Sequence, residues 1–355
     1  MNLIFSRITP DKERWDIIQQ SVDRSCFFTP QWDSYLRSVG IKSIMVEVIR
    51  DNVVIGHFIG STRRLGIRII SAPSMGTGTY AQGLCMIHPI SHQERISIYR
   101  QLADWFFYTR QADYIQICDW QLRVDSQEWI ENWHHPLLDA AGIHYQPRHT
   151  FHLDLSPSEE ELWNNLQYKS CKYSINKARK NGLTVNSVTD NNQIMAFVHQ
   201  HRLHVLDVLQ RHRSRGLPCQ REKYMYALCS SLTPEHALML QVIDTTSHAS
   251  QSILASSIFS LNKGVCTYFT GGSYQQYMHM CPNEIMLWEA IRTLRENGAT
   301  DIIFGGIGHY KKKFGAVYAF VPVMVFSRYK KLLDIRKRIK SIYSIFSSFI
   351  SRRII

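Results

Sequence analysis

Apolar positions recur with period two in some stretches of the chain and with period 3.6 in others, and turn residues separate the stretches. Residues 44–49 and 53–59 are β-rich runs, and Asp51-Asn52 between them predicts a tight hairpin. Residues 68–71 predict a strand running into a glycine-rich loop with Gly76, Gly78 and Gly83. Residues 91–110 have helical spacing, with Ile96, Tyr99, Leu102, Ala103 and Phe106 on one side, and 114–118 read as a strand. A second series starts near Phe151, where 151–155 alternate. Ser156-Pro157-Ser158-Glu159 predicts a capping box with Pro157 at the first helical position. That helix runs toward Asn181-Gly182, with a break near Gln167-Tyr168. Helices over 191–213 and 221–231 follow, then strands over 237–243 and 253–261, and Asn262-Lys263-Gly264 turns the chain into 265–270.

The last fifty residues of this series combine several signals. Cys266-Thr267-Tyr268-Phe269-Thr270 runs into Gly271-Gly272-Ser273. Pro282-Asn283-Glu284 opens a helical pattern that buries Met286, Ala290, Ile291 and Leu294 and stops at Asn297-Gly298. A strand over 300–304 then enters Gly305-Gly306-Ile307-Gly308-His309-Tyr310-Lys311-Lys312-Lys313-Phe314-Gly315. The expected fold class is α/β with a mixed sheet; no short-period repeat or low-complexity segment interrupts it.

Length changes this picture by making room for two units. The 355 residues are divided here into 1–150, 151–327 and a tail of 328–355, and a hydrophobic share of 45% supports a large core. No run reaches the ~18 apolar residues of a membrane span. Met1 to Arg7 lacks the apolar core of a signal peptide, so a cytoplasmic location is expected. The eight cysteines contain no Cys-x-x-Cys pair and are expected to be reduced, mostly buried thiols. Of the net charge of +12, +8 lies from Arg328 onward, where nine basic residues face Asp334 alone. In this tail Ile335, Ile339, Ile342, Phe346, Phe349 and Ile350 fall within roughly 100° of helical arc, opposite Arg336, Lys337 and Lys340. Such a helix over 335–353 suits docking on the body or on an anionic membrane surface, with RNA as a third partner.

Two blocks carry a resemblance. Lys169-Ser170-Cys171-Lys172-Tyr173-Ser174-Ile175-Asn176-Lys177-Ala178-Arg179-Lys180-Asn181-Gly182-Leu183 is similar to the basic helix of the Fem-type aminoacyl- and acyltransferases, a branch of the GNAT superfamily. Phe304-Gly305-Gly306 with Tyr310-Lys311-Lys312-Lys313-Phe314-Gly315 resembles the strand end and lysine loop of that family. Gly271-Gly272-Ser273 and Leu287-Trp288-Glu289-Ala290-Ile291 match in order between the blocks. The match runs from about 150 to 326; residues 1–150 resemble the family's degenerate first domain loosely, through Phe27-Phe28-Thr29-Pro30-Gln31-Trp32.

The resemblance implies two tandem GNAT-like domains, the first degenerate, and direct attack of an amine on an acyl donor. The donor is acyl-CoA or aminoacyl-tRNA as co-substrate, with acyl-CoA slightly preferred and no permanently bound cofactor or metal. The acceptor is an amine on a sugar-nucleotide or lipid-linked envelope precursor, met at the inner membrane face. Lys169, Lys172 and Tyr173 are the acceptor-binding candidates, while Phe269, Thr270, Gly271, Gly272 and Asn283 are the donor-binding ones. Lys311 offsets charge on the tetrahedral intermediate, and Tyr268 is the proton-relay candidate. Gly271-Gly272 is expected to let the strand leave the sheet.

Some features depart from the family. Ile303 stands where the family often has Asp, Lys313 replaces a loop glycine, and no carboxylate occurs from Ile302 to Leu333. The glycine loop of CoA-using relatives is absent after the 265–270 strand. A catalytically silent scaffold for polysaccharide or peptidoglycan assembly is therefore the alternative, and the sequence sets no oligomeric state. His201 and His204 share a helix face without a third ligand at metal spacing, and Cys281 with His279 is a minor nucleophile candidate.

Overall fold

The computed structural model of the chain describes residues 3–71, 83–211, 222–246, 252–306 and 308–329. The tail helix expected over 335–353 lies outside these residues, as do Gly76, Gly78 and Cys219.

The first half opens with β1 (Leu3–Ile8), α1 (Lys12–Gln20) and α2 (Pro30–Ser38). It continues through β2 (Lys42–Arg50), β3 (Val53–Leu65), β4 (Ile67–Ser71), β5 (Leu84–Met86), α3 (His92–Tyr108) and β6 (Tyr114–Cys118). The short β7 (Val124–Ser126) and α4 (Pro136–Ala140) lead to β8 (His144–Asp154). The second half holds α5 (Glu159–Asn165), α6 (Tyr173–Lys180), β9 (Leu183–Ser187), α7 (Ile194–Arg211), α8 (Glu222–Leu232), β10 (Ala237–Asp244) and β11 (Ser252–Ser260). It ends with β12 (Gly264–Ser273), α9 (Pro282–Glu296), β13 (Ala299–Ile303) and β14 (Val317–Ser327).

Local signals account for most of these boundaries. Asp51 and Asn52 both take positive φ, 49° and 63°, the backbone of a two-residue hairpin turn. Thr29 caps α2 through the Trp32 amide with Pro30 in its first turn, and Ser91 caps α3 through Glu94. The capping box sits two residues later than expected. Ser158 is the cap and Glu161 its partner, because the Glu161 carboxylate reaches back to the Ser158 amide at 2.8 Å. Pro157 therefore precedes the helix. The expected break at Gln167-Tyr168 is real: a π turn over Tyr168–Lys172 separates α5 from α6.

Among the described residues fourteen strands form one sheet, whose main path runs β1-β2-β3-β4-β6-β14-β8-β13-β12-β11-β10-β9. From either edge inward the order repeats. Four strands pair antiparallel, β1 to β4 and β9 to β12. A fifth then pairs parallel, β6 on β4 and β13 on β12. A helix crosses over within each parallel pair, α3 or α9, as parallel strands require. The two central strands are exchanged: β8 pairs β13 of the second half, and β14 pairs β6 of the first. β8 and β14 then pair with each other from Val317↔His152 to Val325↔His144. The unit boundary expected at residue 150 falls inside β8.

The halves differ where the donor cleft would lie. In the first, a Cβ on Gly83 would sit 2.9 Å from Phe58, and the Leu84 amide is taken up by Tyr99 Oη. Arg95 is buried between Asp23 and Asp119.

Candidate functional site

The second half keeps its cleft open. The parallel ladder between β12 and β13 ends at Thr267↔Ile303. β13 stays with β8, since the Phe304 amide donates to Phe151 O at 2.9 Å. β12 continues along β11 as far as Ser273↔Ala255, with a bulge where Phe259 faces Tyr268 and Ile258 faces Thr270. The strands diverge around a cavity of about 430 Å³. Tyr268, Gly271, Ser273, Asn283, Glu284 and Lys311 are among the groups on its wall. A ligand-sized concave space in which polar groups converge among apolar ones suits a small-molecule site.

Gly271 and Gly272 do not take the chain out of the sheet, as expected above; they remain in β12, opposite Ser257 and Ser256. Their small size serves contact instead. A Cβ on Gly272 would lie 2.7 Å from the backbone carbon of His204, so α7 packs directly on the strand. A Cβ on Gly271 would meet Tyr268 Oη. Asn283 Nδ2 donates to Ser273 Oγ at 2.9 Å and ties the first turn of α9 to the strand end. Pro282 occupies that first turn and no side chain caps it; the cap position, Cys281, has φ 64°. This helix end presents positive dipole to the cavity.

The three lysines of the turn His309–Phe314 have separate tasks. Lys311 points inward and is only 4% exposed. Its Nζ donates to Phe304 O at 3.1 Å, Gly305 O at 2.5 Å and Gly306 O at 3.4 Å. Gly305 and Gly306 have φ of 56° and 67°, a conformation glycine adopts freely, and this curls their carbonyls around the ammonium. Burial lowers the Lys311 pKa to about 8. Lys312 lies over the Tyr318 ring at 4.5 Å. Lys313 pairs with Glu284, and both are largely shielded from water.

Glu284 is a cavity-lining carboxylate that the sequence reading missed. That reading looked for a carboxylate only along 302–333, whereas the cavity draws one from the third position of α9. The Pro-Asn-Glu helix start was its signal. Tyr268 reaches the cavity, and burial raises its phenol well above the usual range, so it stays protonated and able to donate.

Other candidates lie elsewhere. The bulge turns Phe269 away from the cavity; its ring stacks on Trp32 at 6.1 Å and meets Phe27 edge-on at 6.2 Å. Thr270 Oγ1 lies 3.4 Å from His201 Nε2. Neither side chain is on the cavity wall. Lys169 and Tyr173 are exposed, and Lys172 Nζ donates to Asn164 O at 3.2 Å. None of the three is on the cavity wall. The Gln167 amide, at the entry to their π turn, donates to Lys313 O at 2.9 Å and so ties that turn to the lysine turn.

His201 and His204 are buried structural residues. Both Nδ1 atoms meet Ser256 Oγ, at 2.9 and 2.7 Å, and burial lowers their pKa values to about 3 and about 4. His279 Nδ1 hydrogen-bonds Gln276 O, not Cys281. Among the described residues no cluster suits a metal, and the described cysteines are free, all but Cys281 buried.

Comparison with known proteins agrees with this geometry. The profile of the family described as acetyltransferase (GNAT) domain matches residues 167–318. The crystal structure of FemX superposes with TM-score 0.65 at 15% identity, covering 90% of this chain and 97% of that one. A conserved protein of unknown function from Bacteroides thetaiotaomicron gives TM-score 0.52 at 11% identity, covering 90% and 100%. L-PGS from Bacillus licheniformis gives 0.50 at 10%, covering 92% and 94%. At these identities the likeness is one of fold. No curated protein matches the sequence.

Proposed function

We propose that this chain, a GNAT domain over 167–318 set in a Fem-like fold, is an N-acyltransferase acting on an amine of a cell-envelope precursor. One observation carries the reading: the β12–β13 ladder stops at Thr267 and Ile303, and a cavity opens there beside the start of α9. An open cleft of this size favours an enzyme over a silent scaffold. The match of residues 167–318 to an acetyltransferase (GNAT) domain supports an acyl-CoA donor, with aminoacyl-tRNA as the alternative.

In this reaction the amine nitrogen attacks the donor carbonyl carbon, and the C=O electron pair moves onto oxygen. Backbone N–H groups of β12 beyond Thr267 and the Lys311 ammonium stabilise that oxyanion. Lys311 also holds the Phe304–Gly306 carbonyls, so the end of β13 keeps its divergence. Glu284 takes a proton from the acceptor ammonium before attack, so that the nitrogen reaches the carbonyl as a neutral amine, with Lys313 orienting the carboxylate. Collapse re-forms the carbonyl, breaks the carbon–sulfur bond of a thioester, and leaves a thiolate that takes up the proton. Tyr268 relays that proton, giving its phenol hydrogen to the thiolate and regaining one from the newly bonded nitrogen. Lys169, Lys172 and Tyr173 bind a diphosphate on the acceptor, whether sugar-nucleotide or lipid-linked, and the basic tail brings the protein to an anionic membrane.

The test is transfer by the purified chain from a panel of acyl-CoAs and aminoacyl-tRNAs to amine-bearing envelope precursors. Acceptor-dependent release of the donor is expected, with Lys311→Met slower by about 10²–10³. Absence of transfer from both donor classes, or an unchanged rate in Lys311→Met, rejects the proposal.

A further inference from the structure

The wall of the acyl-transfer cavity holds a hydroxyl that no step of the reaction uses. Ser257 lies on that wall and is fully buried, at 0% exposure. Its Oγ has no hydrogen-bond partner among the described residues. Nearby serines of β11 and β12 are placed otherwise. Ser256 Oγ meets His204, Ser260 Oγ accepts from the Thr267 amide, and Ser273 Oγ accepts from Asn283. A buried hydroxyl without a partner has lost its water and gained no bond in exchange, so few folded chains keep one without a reason.

The strand register fixes where this hydroxyl stands. Ser256 turns toward α7, so Ser257 and, two residues on, Phe259 take the opposite face, and both line the cavity. The β12 residue opposite Ser257 is Gly271, which carries no side chain. Tyr268 Oη comes down on Gly271, where a Cβ would lie 2.1 Å from it. Ser257, the bare glycine and the Tyr268 phenol therefore share one face at one end of the cavity.

Charge narrows what this face can take. Of the three cations on the wall, Arg211 pairs with Asp207 and Lys313 with Glu284, while Lys311 has carbonyls alone. The balance is positive, and Glu284, the one carboxylate among the lining residues, is already engaged. A ligand group that brings another positive charge is repelled here, whereas a neutral hydroxyl can both donate to Ser257 and accept from it. Phe259, Met286 and Leu287 supply apolar wall for the carbon chain that carries it.

We infer that the acyl group of the donor bears a hydroxyl, and that Ser257 Oγ binds it. The inference rests on the acyl-CoA reading above and names the acyl group: a short hydroxyacyl chain in place of acetyl or an aminoacyl group.

The probes are unreactive CoA thioethers titrated calorimetrically into the full chain: S-butyl-CoA, S-(2-hydroxybutyl)-CoA, S-(3-hydroxybutyl)-CoA and S-(3-aminobutyl)-CoA. They share the CoA portion and the carbon skeleton and differ in one substituent. The tighter of the two hydroxybutyl compounds is expected to bind about tenfold more tightly than the butyl and aminobutyl compounds. In Ser257→Ala the butyl and hydroxybutyl compounds are expected to bind alike. The unfolding midpoint of that variant is expected to match or exceed the wild-type value, because the change removes a buried group that lacks a partner. Equal binding of butyl and hydroxybutyl compounds by wild type overturns the inference and leaves the acyl-CoA reading standing. Tightest binding of the aminobutyl compound overturns the hydroxyl in favour of an ammonium. A lowered midpoint in Ser257→Ala overturns the unpaired hydroxyl, and a preference that survives in that variant overturns the location. Binding of none of the four rejects the acyl-CoA donor and this inference with it.

Discussion

Lys311 tests the site physics most directly, because one group serves both burial and chemistry. Burial takes its pKa from 10.5 to about 8. The unfolded chain therefore holds this proton up to about pH 10.5, and the folded chain releases it near pH 8. Between those values the unfolded state binds more protons, so folding stability rises with pH. At ~1.4 kcal/mol per pKa unit, the difference of 2.5 units is worth ~3 kcal/mol. Lys311→Met removes the titration and leaves the Phe304, Gly305 and Gly306 carbonyls without their donor, at ~1–3 kcal/mol for each buried acceptor left unpaired. The two effects oppose at neutral pH, and only the first depends on pH. Urea unfolding of both proteins at pH 7, 8.5 and 10.5 separates them. Wild type should gain ~3 kcal/mol relative to Lys311→Met across that range, with most of the gain above pH 8. A difference that stays flat from pH 7 to 10.5 refutes the idea that this lysine is buried as an uncompensated charge.

Four further predictions follow from other contacts. Gly272→Ala forces a methyl group against the His204 backbone and should cost ~1–3 kcal/mol in thermal unfolding; an unchanged midpoint contradicts the close approach of α7. Phe269→Ala should cost ~3–5 kcal/mol yet leave donor affinity within about twofold, because the ring belongs to the Trp32 side of the strand. Glu284→Gln should lower turnover about 10²–10⁴-fold with little change in donor binding, measured by calorimetry and rate. His152 lies between Asp125 and Asp301; burial opposes its charge, but the two carboxylates raise its pKa overall. Its contribution is therefore full below the ordinary histidine pKa of about 6.5 and is lost as pH rises through the raised folded value. His152→Gln should flatten that part of the stability profile, as measured by denaturant midpoints from pH 5 to 9.

Elements bounded by their own residues were legible in the chain. The Asp51-Asn52 turn, the helix within 91–110, the 114–118 strand and the Pro282 helix start all appear as their local chemistry requires. The capping box moved by two residues because Ser156 and Ser158 both offer a hydroxyl before a glutamate, and only the three-dimensional reach of Glu161 chooses between them. The site was legible in part for the same reason. Lys311, Tyr268, Gly271, Gly272 and Asn283 come together because strand, helix and turn follow one another in the chain. The side chains of Phe269 and Thr270 take a face that alternation along one strand does not reveal, because a bulge shifts the register there.

The sequence alone therefore determined the element types, the lysine turn and the order of strand, helix and strand that makes an acyl-donor cleft. These depend on backbone preferences and on neighbours a few residues apart. Tertiary structure decided the rest. It exchanged β8 and β14 between the halves, set Phe58 against Gly83 and Tyr99 against the Leu84 amide in the first half, and brought Glu284 to the cavity wall. It also turned Lys311 from a free loop charge into a buried one held by three carbonyls. Each of these outcomes depends on pairing or packing between groups distant along the chain, and local sequence does not encode such partners.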